Sequence, residues 1–153
     1  MHILETRIPP PVVTLLCAAG MWALARWCPL WRFEFQASLF AGLIAALVGG
    51  VFGSLGVLEF WRAKTTANPF HPEQATSVVT TGIYRITRNP MYVGFLFALL
   101  GCFLAFGGLS ALVGLPAFVL YIARFQIRPE ERALQARFGS AYTEYQARVR
   151  RWL

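Results

Sequence analysis

The chain has 153 residues, enough for a single domain, of which 57% are hydrophobic and 14% charged, and its net charge is +7. Soluble domains carry roughly a quarter charged residues, so this composition argues against a soluble globular protein. A sequence pI near 10.0 fits either a nucleic-acid binder or a membrane protein with arginines in its cytoplasmic loops. The positions of the basic residues decide between these two classes.

Four apolar segments have the length of membrane-spanning helices. They cover residues 12–31, 37–61, 91–107 and 109–127. At about 1.5 Å per residue, each approaches the ~30 Å thickness of the hydrocarbon core, the third only barely. We therefore predict an all-α integral membrane protein that forms one domain over residues 1–153, with about four transmembrane helices.

The basic residues are distributed unevenly between the two sides of these four segments. With the N-terminus on the cytoplasmic side, twelve of the fourteen lysines and arginines fall on that side, and Arg26 and Arg32 do not. This asymmetry follows the positive-inside pattern and explains the basic pI without nucleic acid. We expect location in a bacterial inner membrane, both termini in the cytoplasm, contact with membrane lipids, and no nucleic-acid partner.

The second segment carries small residues at a spacing of four, including Gly42, Ala46, Gly50 and Ser54. Small residues at this spacing allow helix backbones to approach closely in lipid. The stripe therefore predicts tight packing within the helix bundle or a homodimer interface, rather than direct contact with a ligand.

Short motifs join and interrupt the third and fourth segments. "GGLS" at residues 107–110 is short enough to predict a tight hairpin. Pro116 lies midway along the fourth segment, where we expect it to kink the helix and free the carbonyl of Leu112.

Three cysteines, Cys17, Cys28 and Cys102, lie within or beside apolar segments. Their odd number and the lack of a Cys-x-x-Cys pair indicate neither a disulfide framework nor a zinc site. We therefore predict no metal centre.

The C-terminal segment, residues 129–150, has the pattern of an amphipathic helix. Its apolar side chains recur at steps of three to four: Leu134, Phe138, Tyr142, Tyr145 and Val149. Gly139 is a candidate interruption. The many arginines around this stripe predict a cytoplasmic helix lying on the inner leaflet or against the bundle.

Two polar motifs border the membrane segments on the cytoplasmic side, and each has a local structural interpretation. In "RNPMY", Asn89 is expected to cap the third helix, with Pro90 in its first turn. In "RPEE", Pro129 is expected to start the C-terminal helix, with two glutamates favoured there by the helix dipole. Both motifs face the same side, where a soluble cofactor would meet a membrane-held substrate.

The stretch "GIYRITRNPMYVG", followed by two apolar helices and then "EERALQARFGSAYTEYQARVRRWL", resembles the isoprenylcysteine carboxyl methyltransferase and phospholipid methyltransferase superfamily. The resemblance covers residues 76–153. It implies a methyltransferase that uses S-adenosylmethionine, with a cofactor-binding loop over residues 62–90. The acceptor would be lipid-like or amphiphilic, such as an isoprenylcysteine carboxylate or a phospholipid amine.

The resemblance also implies which residues contact the cofactor. These are Thr76, Ser77, Val78, Val79, Gly82, Tyr84, Arg88, Asn89, Pro90, Met91, Tyr92 and Glu130. Aromatic rings attract a sulfonium, a glutamate accepts hydrogen bonds from ribose or amino groups, and an arginine pairs with the methionine carboxylate. Either Arg85 or Arg88 is placed to do the last. No residue is a certain catalyst, and Arg88 and Glu130 are candidates through positioning.

Two departures from the superfamily pattern concern the carboxyl methyltransferase branch. Asn89 stands where that branch has a histidine, and Gln126 where it has an arginine associated with the prenylcysteine substrate. The cofactor half therefore matches better than the acceptor half.

The sequence is also compatible with two alternatives to a methyltransferase. One is a non-catalytic membrane partner with the same fold. The other is a small four-helix transporter, which usually needs an ionisable group near the membrane midplane. The ionisable residues Glu34, Glu59 and Arg124 lie instead towards segment ends.

Overall fold

The structure, a computed structural model, describes residues 5–33, 36–64 and 77–153, and within these ranges its regular secondary structure is helical, without strands. The α-helices are α1 (Pro10–Trp27), α2 (Gln36–Arg62), α3 (Pro90–Phe106), α4 (Gly114–Ile122), α5 (Arg128–Phe138) and α6 (Ser140–Arg148). Two 3-10 turns, Gly82–Arg85 and Leu109–Val113, and a π turn, Ala123–Ile127, connect them. The predicted all-α class is confirmed.

Two helical stretches of the described residues are long and apolar enough to cross a membrane, Ser38–Arg62 and Leu109–Phe138. They correspond to the second and fourth predicted segments. The third predicted segment corresponds to α3, an apolar helix of 17 residues, and the first to α1, a helix of 18 residues that ends at Trp27 and is not one of these two stretches. The total of four spans stays a prediction.

The core forms where α1, α3 and α4 meet. Met21, Leu99, Phe118 and Ile122 are almost completely buried there. Large apolar side chains point outward from the other faces, and Leu47 and Trp61 are 71% and 75% exposed. An apolar outer surface around an apolar core is the arrangement expected of a helix bundle surrounded by lipid.

Helices α2 and α3 pack closely because glycines face each other across their interface. A β-carbon built on Gly49 would lie 2.5 Å from the carbonyl oxygen of Gly94, and one on Gly42 would lie 2.9 Å from that of Gly101. The predicted tight bundle packing is confirmed. A β-carbon built on Gly50 or Gly53 would meet none of the described residues within 4 Å, and a groove of about 800 Å³ runs past them along α2 and α3.

The hairpin after α3 is as tight as "GGLS" predicts. Gly107 ends α3 in a left-handed conformation at φ +65°, which favours glycine, and its carbonyl accepts a hydrogen bond from the Phe33 amide at 2.9 Å. The helical stretch changes from a 3-10 turn to α4 at Val113–Gly114, two residues before Pro116, and the kink expected at this proline stays a prediction.

The predicted helix start at "RPEE" is wrong. The chain passes from α4 through the π turn into α5 without a break, so Pro129 continues a helix that is already formed. A proline there leaves the carbonyl of Phe125 without its usual donor four residues later. The amide of Thr6 donates to that carbonyl at 2.9 Å, and this contact replaces the missing hydrogen bond.

The C-terminal helix is broken where the sequence indicates. Gly139 adopts φ +53° between α5 and α6. The apolar stripe of these two helices packs against Phe60, Val79 and Tyr84, with Tyr142 and Tyr145 buried. Of the two predicted locations, packing against the rest of the protein is the one observed.

Candidate functional site

The first turn of α3 and the first turn of α5 meet through two of the predicted site residues. The Tyr92 hydroxyl donates a hydrogen bond to Glu130 Oε1 at 2.5 Å. Tyr92 is buried and Glu130 is half-buried. Because α5 continues from α4 as one helix, this contact ties the fourth predicted segment to the start of the third.

Arg88 lies beside the same turn of α5, with its side chain 11% exposed. One guanidinium nitrogen, Nη2, lies 3.3 Å from Glu131 Oε1. The other two, Nε and Nη1, are buried without a hydrogen-bond partner among the described residues. Leaving such donors unpaired is costly, since a buried charged group normally satisfies its hydrogen bonds. These two donors are therefore available to a ligand that accepts hydrogen bonds, such as a carboxylate.

The end of the chain holds the backbone around Arg88 in place. The Arg88 amide donates to the carbonyl of Arg150 at 2.9 Å, and the Thr87 hydroxyl donates to that of Arg151 at 3.2 Å. Arg151 also forms a two-bond ion pair with Glu131, at 2.6 and 3.0 Å. Glu131 therefore joins Arg88 and Arg151, a role that the sequence analysis did not assign to it.

Asn89 occupies the N-cap position of α3, but its side chain makes no capping hydrogen bond. Its Nδ2 donates instead to the carbonyl of Arg151 at 2.8 Å. The predicted cap is therefore wrong, because the tail offers this amide a carbonyl acceptor. Pro90 follows at the first helical position, as predicted.

Tyr84 lies within the 3-10 turn Gly82–Arg85 and is buried. Its carbonyl accepts a hydrogen bond from the Tyr145 hydroxyl at 2.7 Å, and its ring packs edge-on against Phe60 at a centroid distance of 5.5 Å. Burial raises the pKa of Tyr84 above its usual range, and nearby Tyr145, Glu130 and Glu59 add to this effect. The phenol is therefore neutral at physiological pH.

Glu59, near the end of α2, is a buried carboxylate that the sequence analysis did not place in the site. Its Oε2 accepts a hydrogen bond from the Thr81 hydroxyl at 2.5 Å, and its Oε1 accepts one from Arg62 at 2.8 Å. Gly82, with φ +54°, packs directly against this carboxylate. The sequence signal for it was an acidic residue inside an otherwise apolar helix.

The remaining predicted residues differ in their surroundings. Val79 is buried beside Tyr84, Val78 is half-buried, and Ser77 is exposed. Met91 is half-buried and lines the groove between α2 and α3. Thr76 and residues 65–75 of the predicted cofactor-binding loop lie outside the described residues.

Comparison with known proteins gives a consistent family. The sequence model of a family described as phospholipid methyltransferase matches residues 37–141. The chain is 32% identical over 119 residues to a probable protein-S-isoprenylcysteine O-methyltransferase of Oryza sativa subsp. japonica, an alignment that covers 76% of this chain and 61% of that protein. It is 33% identical over 107 residues to protein-S-isoprenylcysteine O-methyltransferase A of Arabidopsis thaliana, an alignment that covers 68% of this chain and 53% of that protein.

A shorter relative is an uncharacterized protein of Haemophilus influenzae, 43% identical over 63 residues, which are 41% of this chain and all of that protein. The chain spans about three fifths of the length of the rice relative and about half of the Arabidopsis one. No solved structure matches the chain.

Proposed function

The chain belongs to the phospholipid methyltransferase family, and on this premise we propose that it is an integral membrane methyltransferase that binds S-adenosylmethionine and methylates a lipid-like or amphiphilic acceptor. The acceptor class ranges from an isoprenylcysteine carboxylate to a phospholipid amine. The proposal combines the family with the polar site built by residues 79–92 and the first turn of α5.

The observation that carries the proposal is the buried guanidinium of Arg88. Its Nε and Nη1 have no partner among the described residues, while Glu131 lies near only its Nη2. Guanidinium donors form strong hydrogen bonds with a carboxylate, and the methionine part of the cofactor has one. The residues present therefore fit the cofactor. We assign Arg88 to its carboxylate rather than Arg85, because Arg85 is exposed.

Other side chains of the site suit the remaining parts of the cofactor. We assign the Glu130 carboxylate, held by the Tyr92 hydroxyl, to the cofactor's ribose or amino groups. The rings of Tyr84 and Tyr92 suit the sulfonium, because aromatic faces attract cations. S-adenosylmethionine, when bound, supplies a methyl group that is already activated. The protein's own contribution is then to position the reactants and exclude water.

We place the hydrocarbon part of the acceptor in the groove of about 800 Å³ between α2 and α3. Gly50 and Gly53 leave space along its length, and Met91 lines it next to Tyr92 in the chain. The groove would hold an apolar chain in the membrane while its reactive end meets the polar site. A homodimer through the same open side of α2 would compete with this use and stays a prediction.

The membrane arrangement also belongs to the proposal. Four spans with both termini in the cytoplasm put the site at the cytoplasmic surface, where S-adenosylmethionine is available. The positive-inside distribution of the basic residues supports this orientation, and the bacterial inner membrane is the location we propose.

The proposal is tested by calorimetric titration of S-adenosylmethionine into the purified protein in detergent. We expect saturable binding that Arg88→Gln weakens about tenfold or more, as the loss of charge-assisted hydrogen bonds implies. Arg85→Gln is the matched control, because it removes an exposed arginine from the same short segment and should change the affinity less than twofold. Absence of binding to the folded wild type would refute the proposal and favour a non-catalytic partner.

A further inference from the structure

We propose that Glu59 is a positioning residue of the cofactor site, although no part of the predicted site includes it. The inference rests on the proposed function, since it concerns how the site is held ready for the cofactor. Glu59 lies on α2, whereas the predicted cofactor contacts lie on the segment that returns from α2 to α3, on the first turn of α3 and on α5. Its effect is therefore exerted through the segment that it holds.

The Glu59 carboxylate binds the last residue of α2 and one residue of this returning segment. Arg62, where the chain leaves α2, donates to Oε1, and Thr81, where the chain begins its 3-10 turn, donates to Oε2. The Arg62 side chain is 66% exposed, so its ion pair contributes little. The hydrogen bond from Thr81 to a carboxylate that is 8% exposed is the stronger restraint.

Gly82 shows how closely the turn is fitted to the carboxylate. A β-carbon built on Gly82 would lie 2.5 Å from the carboxyl carbon of Glu59 and 2.6 Å from its Oε1. The backbone of the turn therefore rests on the carboxylate itself, with no side chain between them. Glu59 therefore sets the distance between the turn and α2 through this contact, in addition to accepting the hydrogen bond from Thr81.

The position of the turn determines the position of Tyr84. Tyr84 is the third residue of the turn, and its amide donates to the carbonyl of Thr81 at 3.0 Å. On its other sides it is held by the Phe60 ring and by the Tyr145 hydroxyl. Releasing Thr81 and Gly82 from Glu59 removes the support on the α2 side, so the ring shifts relative to Tyr92 and Glu130.

The first experiment compares cofactor affinity and backbone protection in Glu59→Ala and Glu5→Ala. Glu5 is a matched control, because its side chain is 9% exposed and it also binds two partners, Arg124 and Arg132. We expect Glu59→Ala to weaken S-adenosylmethionine binding about tenfold or more, as small displacements of binding groups do, and Glu5→Ala to change it less than twofold. Hydrogen exchange without cofactor should quicken at residues 82–87 in Glu59→Ala alone.

The second experiment uses the close contact itself. Gly82→Ala in the wild type should weaken cofactor binding. In the Glu59→Ala background the same substitution should weaken binding by less than a further twofold, because the obstructing carboxylate is gone. Gly139→Ala reports the cost of the backbone conformation alone, since Gly139 has φ +53° and nothing within 4 Å of a built β-carbon.

The outcomes separate the two proposals. Absence of saturable binding to the folded wild type would overturn the proposed function and this inference with it. Wild-type binding that Glu59→Ala leaves unchanged would overturn only the inference. Equal effects of Gly82→Ala in both backgrounds would also overturn it, because the carboxylate would then not be what the turn rests on.

Discussion

The contact between Gly49 and Gly94 provides a direct test of how the bundle is held together. Replacing Gly49 by alanine adds a methyl group 2.5 Å from the Gly94 carbonyl oxygen and 3.2 Å from the amide nitrogen of Ala98. Both neighbours are backbone atoms of α3, so no side chain can rotate away. Gly50, the next residue, has nothing within 4 Å of the same added group. The pair of substitutions differs only in which face of α2 receives the methyl group.

The expected difference in stability follows from this pair. Overpacking a well-packed interface costs about 1–3 kcal/mol. Both substitutions gain roughly 1 kcal/mol from replacing glycine by alanine inside a helix, so this gain cancels in the comparison. We therefore expect Gly49→Ala to be about 1–3 kcal/mol less stable than Gly50→Ala. For a chain of this size, each 1 kcal/mol corresponds to a shift of about 2–4 °C in Tm.

The assay is thermal unfolding of both variants in the same detergent, followed by circular dichroism. Gly50→Ala should melt at or above the wild-type temperature, and Gly49→Ala should melt several degrees below Gly50→Ala. Equal melting temperatures, or a lower one for Gly50→Ala, would show that α2 and α3 do not meet through Gly49 and that the open side of α2 is placed wrongly.

Two further predictions concern the groove and the N-terminal segment. Gly53→Leu should fill the groove and raise KM severalfold in methyl transfer to phosphatidylethanolamine or an S-farnesyl cysteine derivative, without changing cofactor affinity. Gly20→Leu is the control, because a β-carbon on Gly20 in α1 is equally unobstructed by the described residues. An unchanged KM in both variants would place the acceptor elsewhere. The hydrogen bond from Arg124, together with Arg132, holds the pKa of Glu5 below its usual range. The stability that Glu5 contributes is therefore present at neutral pH and lost as the pH falls below roughly 4. The free energies of unfolding of the wild type and Glu5→Gln, measured by denaturation, should therefore converge there. A constant difference between them down to roughly pH 3 would contradict this.

The helices were largely predictable because their signals are local. The apolar runs that became α2 and α3, the proline that starts α3 and the glycine that separates α5 from α6 all act within a few residues. The sequence also indicated that the motif around Tyr92 and the paired glutamates lie on one side of the bundle, and the structure brings Tyr92 and Glu130 into contact.

The errors have a common physical cause, which is that the deciding partner lies far along the chain. Asn89 looked like a helix cap, but a carbonyl 62 residues away takes its side-chain amide. Pro129 looked like a helix start, but the amide of Thr6 satisfies the carbonyl that the proline leaves free. The partner of Glu59, Thr81, is 22 residues away. No periodicity or spacing reports such pairs.

The hydrogen bond between Thr6 and Phe125 also bears on the order of assembly during synthesis. Residues 5–8 leave the ribosome long before residues 124–132, to which Thr6, Glu5 and Ile8 are all bonded in the folded protein. Until residues 124–132 are made, residues 5–8 cannot form these contacts. The helix through Pro129 receives the hydrogen bond from the Thr6 amide to the Phe125 carbonyl only when the two segments meet. This corner of the bundle therefore closes only after residues 124–132 have been made, and slow translation of that region should delay its closure without affecting the α2–α3 pair, whose residues are made earlier.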